Sequence, residues 1–394
     1  MNRSPRLLIV ASTYPAVVGD GTPAFVRDLA LRESESFETL VVVPRVPGSA
    51  DVERDGNLTV RRFAYFPRRW EDLAHGAIIE NLRSRRSRWL QVVPFLVAEM
   101  IAVRRAVREF RPDVVHAHWI IPQGLTLAIV APRLPRIVTT LGGDLYALRA
   151  GVLQRLKAWV VRGSRAVTVM NEEMADIVRD LGARAVEVAP MGADLSAFRA
   201  SAARRRGGEP ALRLLFVGRL VEKKGLGVLL SALRSAELTA SLTVVGDGPL
   251  RAELERQAAG LDVTFVGQLG RTDLARAYAE ADVVVVPSVA AASGDKDGLP
   301  VAMLEAMGSG CAVVGSDLPG IDEAIVDGES GILVRSADVD DLGTALHRLV
   351  ADRELVARLG VAASARAESF SVERVGERYD VLLRSVLADP ALRR

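Results

Sequence analysis

Short apolar runs rich in β-branched residues alternate along the chain with longer stretches of helical periodicity, beginning with RLLIVAS, TLVVVPR, DVVHAHW, RIVTTLGG, RAVTVMN and AVEVAPMG. This alternation predicts βαβ units around a parallel sheet whose strands are buried on both faces. The pattern breaks at RASAARRRGGEP, residues 199–210, where small, charged, Gly and Pro residues predict an exposed linker. It restarts with LRLLFVGRL, LTVVGDGP, DVTFVGQL, DVVVVPS, CAVVGSD and GILV. Residues 1–200 and 201–375 are therefore expected to be two doubly wound, Rossmann-like α/β domains. Ligands of such sheets gather at the carboxyl ends of the strands, so the active site is expected in a cleft between the two. The stretch Val372 to Leu387 again has helical periodicity.

A chain of 394 residues is too long for one ordinary core, which agrees with two domains. With 49% hydrophobic and 25% charged residues it has ample apolar surface to bury. The net charge of +2 conceals an asymmetry: residues 1–200 carry 28 basic and 21 acidic side chains, a net of +7 that leaves −5 for the rest. Residues 58–111 alone hold 12 basic and 5 acidic side chains, with RRFAYFPRRW and RSRRSRW interleaving Arg and aromatic residues. Such a segment suits an anionic membrane surface or is simply a solvated Arg-rich face. No recognition motif for nucleic acid accompanies it.

The single Cys311 allows no internal disulfide and fits a reducing compartment. LLIVAS near the start is too short for a signal-peptide core, and the apolar stretch from Trp89 to Val103 is interrupted by Pro94 and Glu99. The expected location is cytoplasmic, at the inner face of the membrane if the basic segment binds lipid.

Two motifs carry the chemistry. In VGRLVEKKG a strand ends at Val217, followed by Gly218 and Arg219 and, five residues on, Lys224 beside Gly225. A glycine turn lets backbone approach an anion, and a guanidinium with an ammonium can clamp a pyrophosphate; the plain alternative is an exposed charged turn. In DKDGLPVAMLEAMGSG, Asp297 precedes Gly298, Leu299 and Pro300, and Glu305 lies inside the helix that Pro300 opens. Carboxylates only accept hydrogen bonds, so the pair is suited to the hydroxyls of a sugar and a ribose.

The first half adds weaker signals. His116 and His118, two apart near a strand end, project to one face, but no third metal ligand stands near them; they are substrate-contacting or interior histidines. Gly19, Gly21 and Thr22, in the loop after the first strand, can turn amides toward a phosphate or an acceptor. The run from Gly19 to Ala24 also matches a G-x-G-x-x-A dinucleotide fingerprint, but it starts well after its strand and the second strand lacks a terminal acid for ribose. Asp144 in TTLGGDL is a further polar candidate, and Cys311 reads as a small core residue.

With GR-x4-K-G followed by acid-x7-Glu at the expected separation, the chain resembles family 4 of the retaining glycosyltransferases, which have the GT-B fold. HAHW, MGADLSAF, VVGDGPLRAELE and DLPGIDEAIVDGESGILV extend the likeness over nearly the full length. The resemblance implies that Arg219 and Lys224 neutralise the phosphates of a UDP- or GDP-linked sugar. It further implies that Glu305 binds the ribose, that Asp297 with the amides of Gly298 and Leu299 holds the transferred sugar, and that His118 faces that sugar. Residues 376–394 would form a helix crossing back to the first domain. The acceptor would be a glycan or lipid-linked glycan of cell-surface polysaccharide synthesis. Glu is usual in the family where Asp297 stands. D-K-D also matches a metal-binding D-x-D, yet GT-B sites use basic residues for that role, so neither a metal nor another cofactor is expected. The remaining alternatives are a sugar-nucleotide epimerase or phosphorylase on the same fold and an inactive nucleotide-sugar-binding scaffold.

Overall fold

The structure, a computed structural model, describes residues 3–16, 24–76, 78–146, 151–202, 211–236, 238–292 and 294–388. The chain divides into two compact units, residues 1–192 with 372–394, and residues 193–371.

In the first unit the strands are β1 (Arg6–Val10), β2 (Glu38–Pro44), β3 (Val52–Asp55), β4 (Leu58–Phe63), β5 (Val114–His118), β6 (Arg136–Thr139), β7 (Ala166–Val169) and β8 (Val186–Val188). Among the described residues they form one sheet in the order β3-β4-β2-β1-β5-β6-β7-β8, parallel except for β3 against β4. The uninterrupted apolar runs have a direct cause. Leu8 and Val10 of β1 enter one core with Leu40, Val42, Val115 and Val138, while Leu7 and Ile9 enter the core on the other face with Val41, Val43, Val114 and Ile137. Each such side chain taken out of water contributes about 1.5–3 kcal/mol.

The second unit repeats the plan with β9 (Leu212–Val217), β10 (Ala240–Val245), β11 (Val263–Gly267), β12 (Val283–Val286), β13 (Ala312–Ser316) and β14 (Ile332–Val334), in the order β11-β10-β9-β12-β13-β14, all parallel. Val283 and Val285 face one core and Val284 and Val286 the other. In both sheets the chain starts in the middle, builds one way and then returns to build the other way. This places a topological switch point between β1 and β5 in one unit and between β9 and β12 in the other.

The break after Gly192 has a packing reason. Ala193 donates its amide to the Phe370 carbonyl at 3.1 Å, and Leu195 and Phe198 are buried in a core of the second unit, Phe198 meeting Tyr278 edge to face at 5.5 Å. Residues 199–202, expected to open the linker, therefore end a helix, Ser196–Ala202; residues 203–210 lie outside the described residues. The last helix, Val372–Ala388, belongs to the first unit and packs on the helix Phe25–Glu33. Contact there is close: a Cβ on Gly376 would lie 2.2 Å from Arg32 Cγ.

The hairpin β3–β4 went unread in the sequence because its strands are charged and lie at the sheet edge. It consumes part of the basic segment internally: Arg62 is buried, pairs with Glu53 at 3.1 Å and covers the Tyr14 ring, while Arg61 pairs with Glu109 at 2.7 Å. Among the described residues no helix is long and apolar enough to cross a membrane.

On the inner face of the helix Val92–Phe110, Glu99 is fully buried near Gln123 and Thr126. Burial pushes its carboxyl up from 4.5 to about 8, outweighing the influence of those two polar neighbours. An unfolded Glu99 ionises above pH 4.5 and the folded one does not, so stability falls as pH rises from 4.5 toward 8. Glu99→Gln is expected to remove that slope, its melting temperature gaining on the parent as pH rises through this window. Parallel pH curves for the two proteins would show that Glu99 is ionised in the fold.

Candidate functional site

At the switch point of the second unit, β9 ends at Val217, and the Gly218 amide donates to the Val245 carbonyl at 3.0 Å. Arg219 follows at the surface. A short 3-10 turn, Glu222–Lys224, closes at Gly225 in the left-handed region, with φ of 67°. A Cβ on Gly225 would lie 1.7 Å from the Pro287 carbonyl oxygen, so only glycine lets this turn lie against the end of β12.

That contact sets the Lys224 side chain beside the residues that follow β12. Its Nζ lies 2.9 Å from Asp297 Oδ2, which also accepts from the Ser288 hydroxyl at 2.9 Å. Lys223 sits 3.2 Å from Asp295 Oδ2 and 3.7 Å from Asp297 Oδ1. Burial alone would raise the Asp297 carboxyl, but the Lys224 ammonium, then Lys223, and the hydrogen bonds from Lys224 and Ser288 hold it below the usual carboxylate range. Asp297 is thus an ionised, 8% exposed carboxylate held to the lysine of the first motif. Both carboxylates of D-K-D are met by lysine ammonium groups, so a divalent cation there would have to displace them.

Beyond Asp297, Gly298 is buried, Leu299 packs on the core, and Pro300 caps the helix Val301–Gly308. That helix is anchored by buried Met303, Leu304 and Met307 and presents Glu305 to the Tyr278 hydroxyl, which donates to Glu305 Oε2 at 3.0 Å. The Tyr278 phenol is held protonated, chiefly by burial and then by the Glu305 charge. Cys311, also buried, directs its thiol at the Tyr278 carbonyl at 3.2 Å, a core role.

At the switch point of the first unit, β5 ends in His116-Ala117-His118, every residue buried. The two imidazoles are 4.3 Å apart by ring centroids. His116 is bound on one side within the fold: Nε2 meets Thr139 Oγ1 at 2.7 Å and Tyr379 stacks on its ring at 5.5 Å, while Nδ1 lies 3.5 Å from Glu33 Oε1 and makes no hydrogen bond among the described residues. His118 differs, both of its ring nitrogens being buried without a hydrogen-bond partner among the described residues. Burial, aided by the neighbouring His116, lowers its pKa well below the ordinary histidine value, so its ring is neutral. The chain then kinks at Trp119 (φ 79°), and Asp144 holds the kink by accepting from the Ile120 amide at 2.5 Å and the Thr140 hydroxyl at 2.7 Å. Buried Lys157 donates to the carbonyls of Asp144 and Leu145. Asp144 is therefore an internal brace of the turn after His118.

Gly19, Gly21 and Thr22 lie outside the described residues. Residue spacing did not reveal Ser288, Lys223, Tyr278, Glu33, Thr139 or Tyr379. Only Ser288 left a local signal, as the first polar residue after a run of four valines and a proline.

The family model described as Glycosyltransferase Family 4 matches residues 20–197, and the one described as Glycosyl transferases group 1 matches residues 211–352. A D-inositol 3-phosphate glycosyltransferase of Geodermatophilus obscurus is 34% identical over 321 residues, 71% of this chain and 68% of that one. The amylovoran biosynthesis glycosyltransferase AmsK of Erwinia amylovora is 39% identical over 165 residues, 40% of either chain. Among solved structures, sucrose-phosphate synthase from Thermosynechococcus elongatus superposes with a TM-score of 0.77 at 21% identity, covering 98% of this chain and all of that one. Anabaena HepE in complex with UDP-glucose superposes with a TM-score of 0.69 at 18% identity, covering 96% and 99%. Two doubly wound sheets, the GR-x4-K-G motif at the second switch point and these matches agree: the chain belongs to the group 1, family 4 glycosyltransferases and has their GT-B fold.

Proposed function

We propose that this protein transfers a sugar, with retention and without a metal ion, from a UDP- or GDP-sugar to a glycan or lipid-linked acceptor in surface polysaccharide synthesis. The carrying observation is the Lys224–Asp297 contact, which joins two motifs 73 residues apart at the C-terminal ends of β9 and β12. Breaking the anomeric bond leaves growing charge on the nucleoside diphosphate. Arg219, at the surface, and Lys224, oriented beforehand by Asp297, bring positive charge to the leaving phosphates, and a group oriented beforehand stabilises a transition state without reorganising. Glu305, held through Tyr278, accepts from the ribose hydroxyls.

His118 is neutral and offers one ring donor and one acceptor to the hydroxyls of the transferred sugar. No side chain is assigned as a nucleophile. In the proposed same-face course the departing phosphate takes the acceptor's proton, so retention needs no covalent enzyme intermediate. The uridine arm of the proposal draws support from the fold neighbour HepE, solved with UDP-glucose.

The test is a thermal-shift series in EDTA with UDP, GDP, ADP, dTDP and their sugar conjugates. A ligand that binds only the folded protein raises its melting temperature, by an amount equivalent to about 2.7 kcal/mol at a hundredfold excess over Kd. UDP or GDP and the matching sugar conjugate are expected to stabilise the parent and not Arg219→Ala/Lys224→Ala. A shift equal in parent and variant would remove the clamp from the proposal, and no shift with any nucleotide would overturn the donor-site reading.

A further inference from the structure

The helix Val92–Phe110 has a second face that nothing among the described residues covers. Its inner face buries Phe95, Glu99, Val103 and Ala106. At about 100° per residue, Val93, Arg104, Val97, Arg108 and Ile101 all fall within an arc of about 80° on the opposite side. The apolar members come first along the axis and the arginines last. Trp89 and Leu90, in the turn that leads into the helix, extend the apolar end, and the five apolar residues from Trp89 to Ile101 are 45–74% exposed. A run of exposed large apolar side chains on one helix face is uncommon on a protein that stays in water.

The charges identify what covers it. Arg104 and Arg108 are exposed and have no carboxylate within salt-bridge reach among the described residues. The neighbouring Glu109 is already taken by Arg105 and Arg61, both at 2.7 Å. The face is therefore apolar at one end and unneutralised positive at the other. A second copy meeting it through a two-fold axis would set the same patch against itself, and the patch itself holds no carboxylate to neutralise the arginines. An anionic bilayer satisfies both ends, with acyl chains for the apolar side chains and lipid phosphates for the guanidinium groups. From Leu90 to Ile101 the helix rises about 17 Å, well short of the ~30 Å hydrocarbon thickness, so the contact is interfacial.

We propose that this face docks the enzyme on an anionic lipid surface, the apolar end of the helix entering the acyl boundary and Arg104 and Arg108 lying among the phosphates. The inference deepens the reading of a lipid-linked acceptor, and its test reads the lipid contact separately from the donor site.

The experiment is flotation of the full chain with vesicles of phosphatidylcholine alone or phosphatidylcholine mixed with phosphatidylglycerol, at low and high salt. The parent is expected to float with the mixed vesicles only and to be released by salt. Arg104→Gln/Arg108→Gln should weaken partitioning by about 30-fold, as roughly fivefold per arginine near an anionic surface implies. Val97→Ser/Ile101→Ser should weaken it at low salt, where the parent floats. All substituted positions are exposed, so both variants should keep the parent's melting temperature and its nucleotide-induced shift, which separates failure of this contact from failure of the donor-site reading. Three outcomes would overturn the proposal: no flotation of the parent, flotation indifferent to phosphatidylglycerol, or sedimentation showing a parent dimer that Ile101→Glu converts to monomer.

Discussion

Lys224→Ala is expected to lower kcat/KM for sugar transfer by about 10²- to 10³-fold, the loss that follows removal of one preorganised group from developing negative charge. Lys224 occupies the C-terminal end of the second switch point because Gly225 lets its turn press on the Pro287 carbonyl. The ammonium also neutralises buried Asp297 at 2.9 Å, so its removal costs stability as well as catalysis. Two partners soften that cost, the Ser288 hydroxyl at 2.9 Å and the Lys223 ammonium at 3.7 Å. Lys224→Ala/Asp297→Asn separates the two effects. Without the buried charge the double variant should regain melting temperature while transfer stays low. Steady-state kinetics beside thermal melts make the measurement, and a Lys224→Ala enzyme with parental kcat/KM would end the assignment of the clamp.

Tyr379→Ala is expected to cost about 3–5 kcal/mol of unfolding free energy, the range for deleting a buried aromatic side chain. Tyr379 is fully buried on the last helix, stacks on His116, and brings its hydroxyl to Thr168 Oγ1 at 3.0 Å and the Ala189 carbonyl at 3.2 Å. It thus fixes the chain's end to strands laid down some 200 residues earlier. Tyr379→Phe keeps the ring and loses only the hydroxyl's bonds, so it should cost about 0.5–1.5 kcal/mol. Urea unfolding followed by circular dichroism reads both. A Tyr379→Ala loss below that of Tyr379→Phe would mean the helix is held elsewhere. Because the ring also backs His116, which packs on His118, Tyr379→Ala should lower kcat/KM through disorder at His118, with Tyr379→Phe near parental.

Much of this protein was legible locally. The β-branched runs marked most of the strands because a parallel strand covered on both faces must be apolar at consecutive positions, a property of a few adjacent residues. The clamp and the carboxylate pair were legible for a related reason: a turn after a strand and a cap before a helix are each built from neighbouring residues, so their chemistry is written as spacing. The edge hairpin β3–β4 was not legible, since its strands carry charges in place of an apolar run. Residues 199–202, the end of the helix Ser196–Ala202, were misread as linker because small and charged residues also make good helices once Phe198 has a core to enter.

His116 and His118 show where sequence stops. Two residues apart on one strand, they are equivalent by pattern, and only the fold gives His116 the contacts of Thr139, Glu33 and Tyr379 while leaving His118 buried and without a partner among the described residues. Likewise the sequence placed Lys224 and Asp297 in separate motifs, and the order of strands, with β12 returning to lie beside β9, made them an ion pair. By itself, then, the sequence determined the fold class, the two-domain plan and the candidate residues for the chemistry, because these follow from local periodicity and spacing. Which polar groups are satisfied, which are ionised and which remain for a ligand depended on neighbours brought from distant parts of the chain by strand order, and only the tertiary structure decided that.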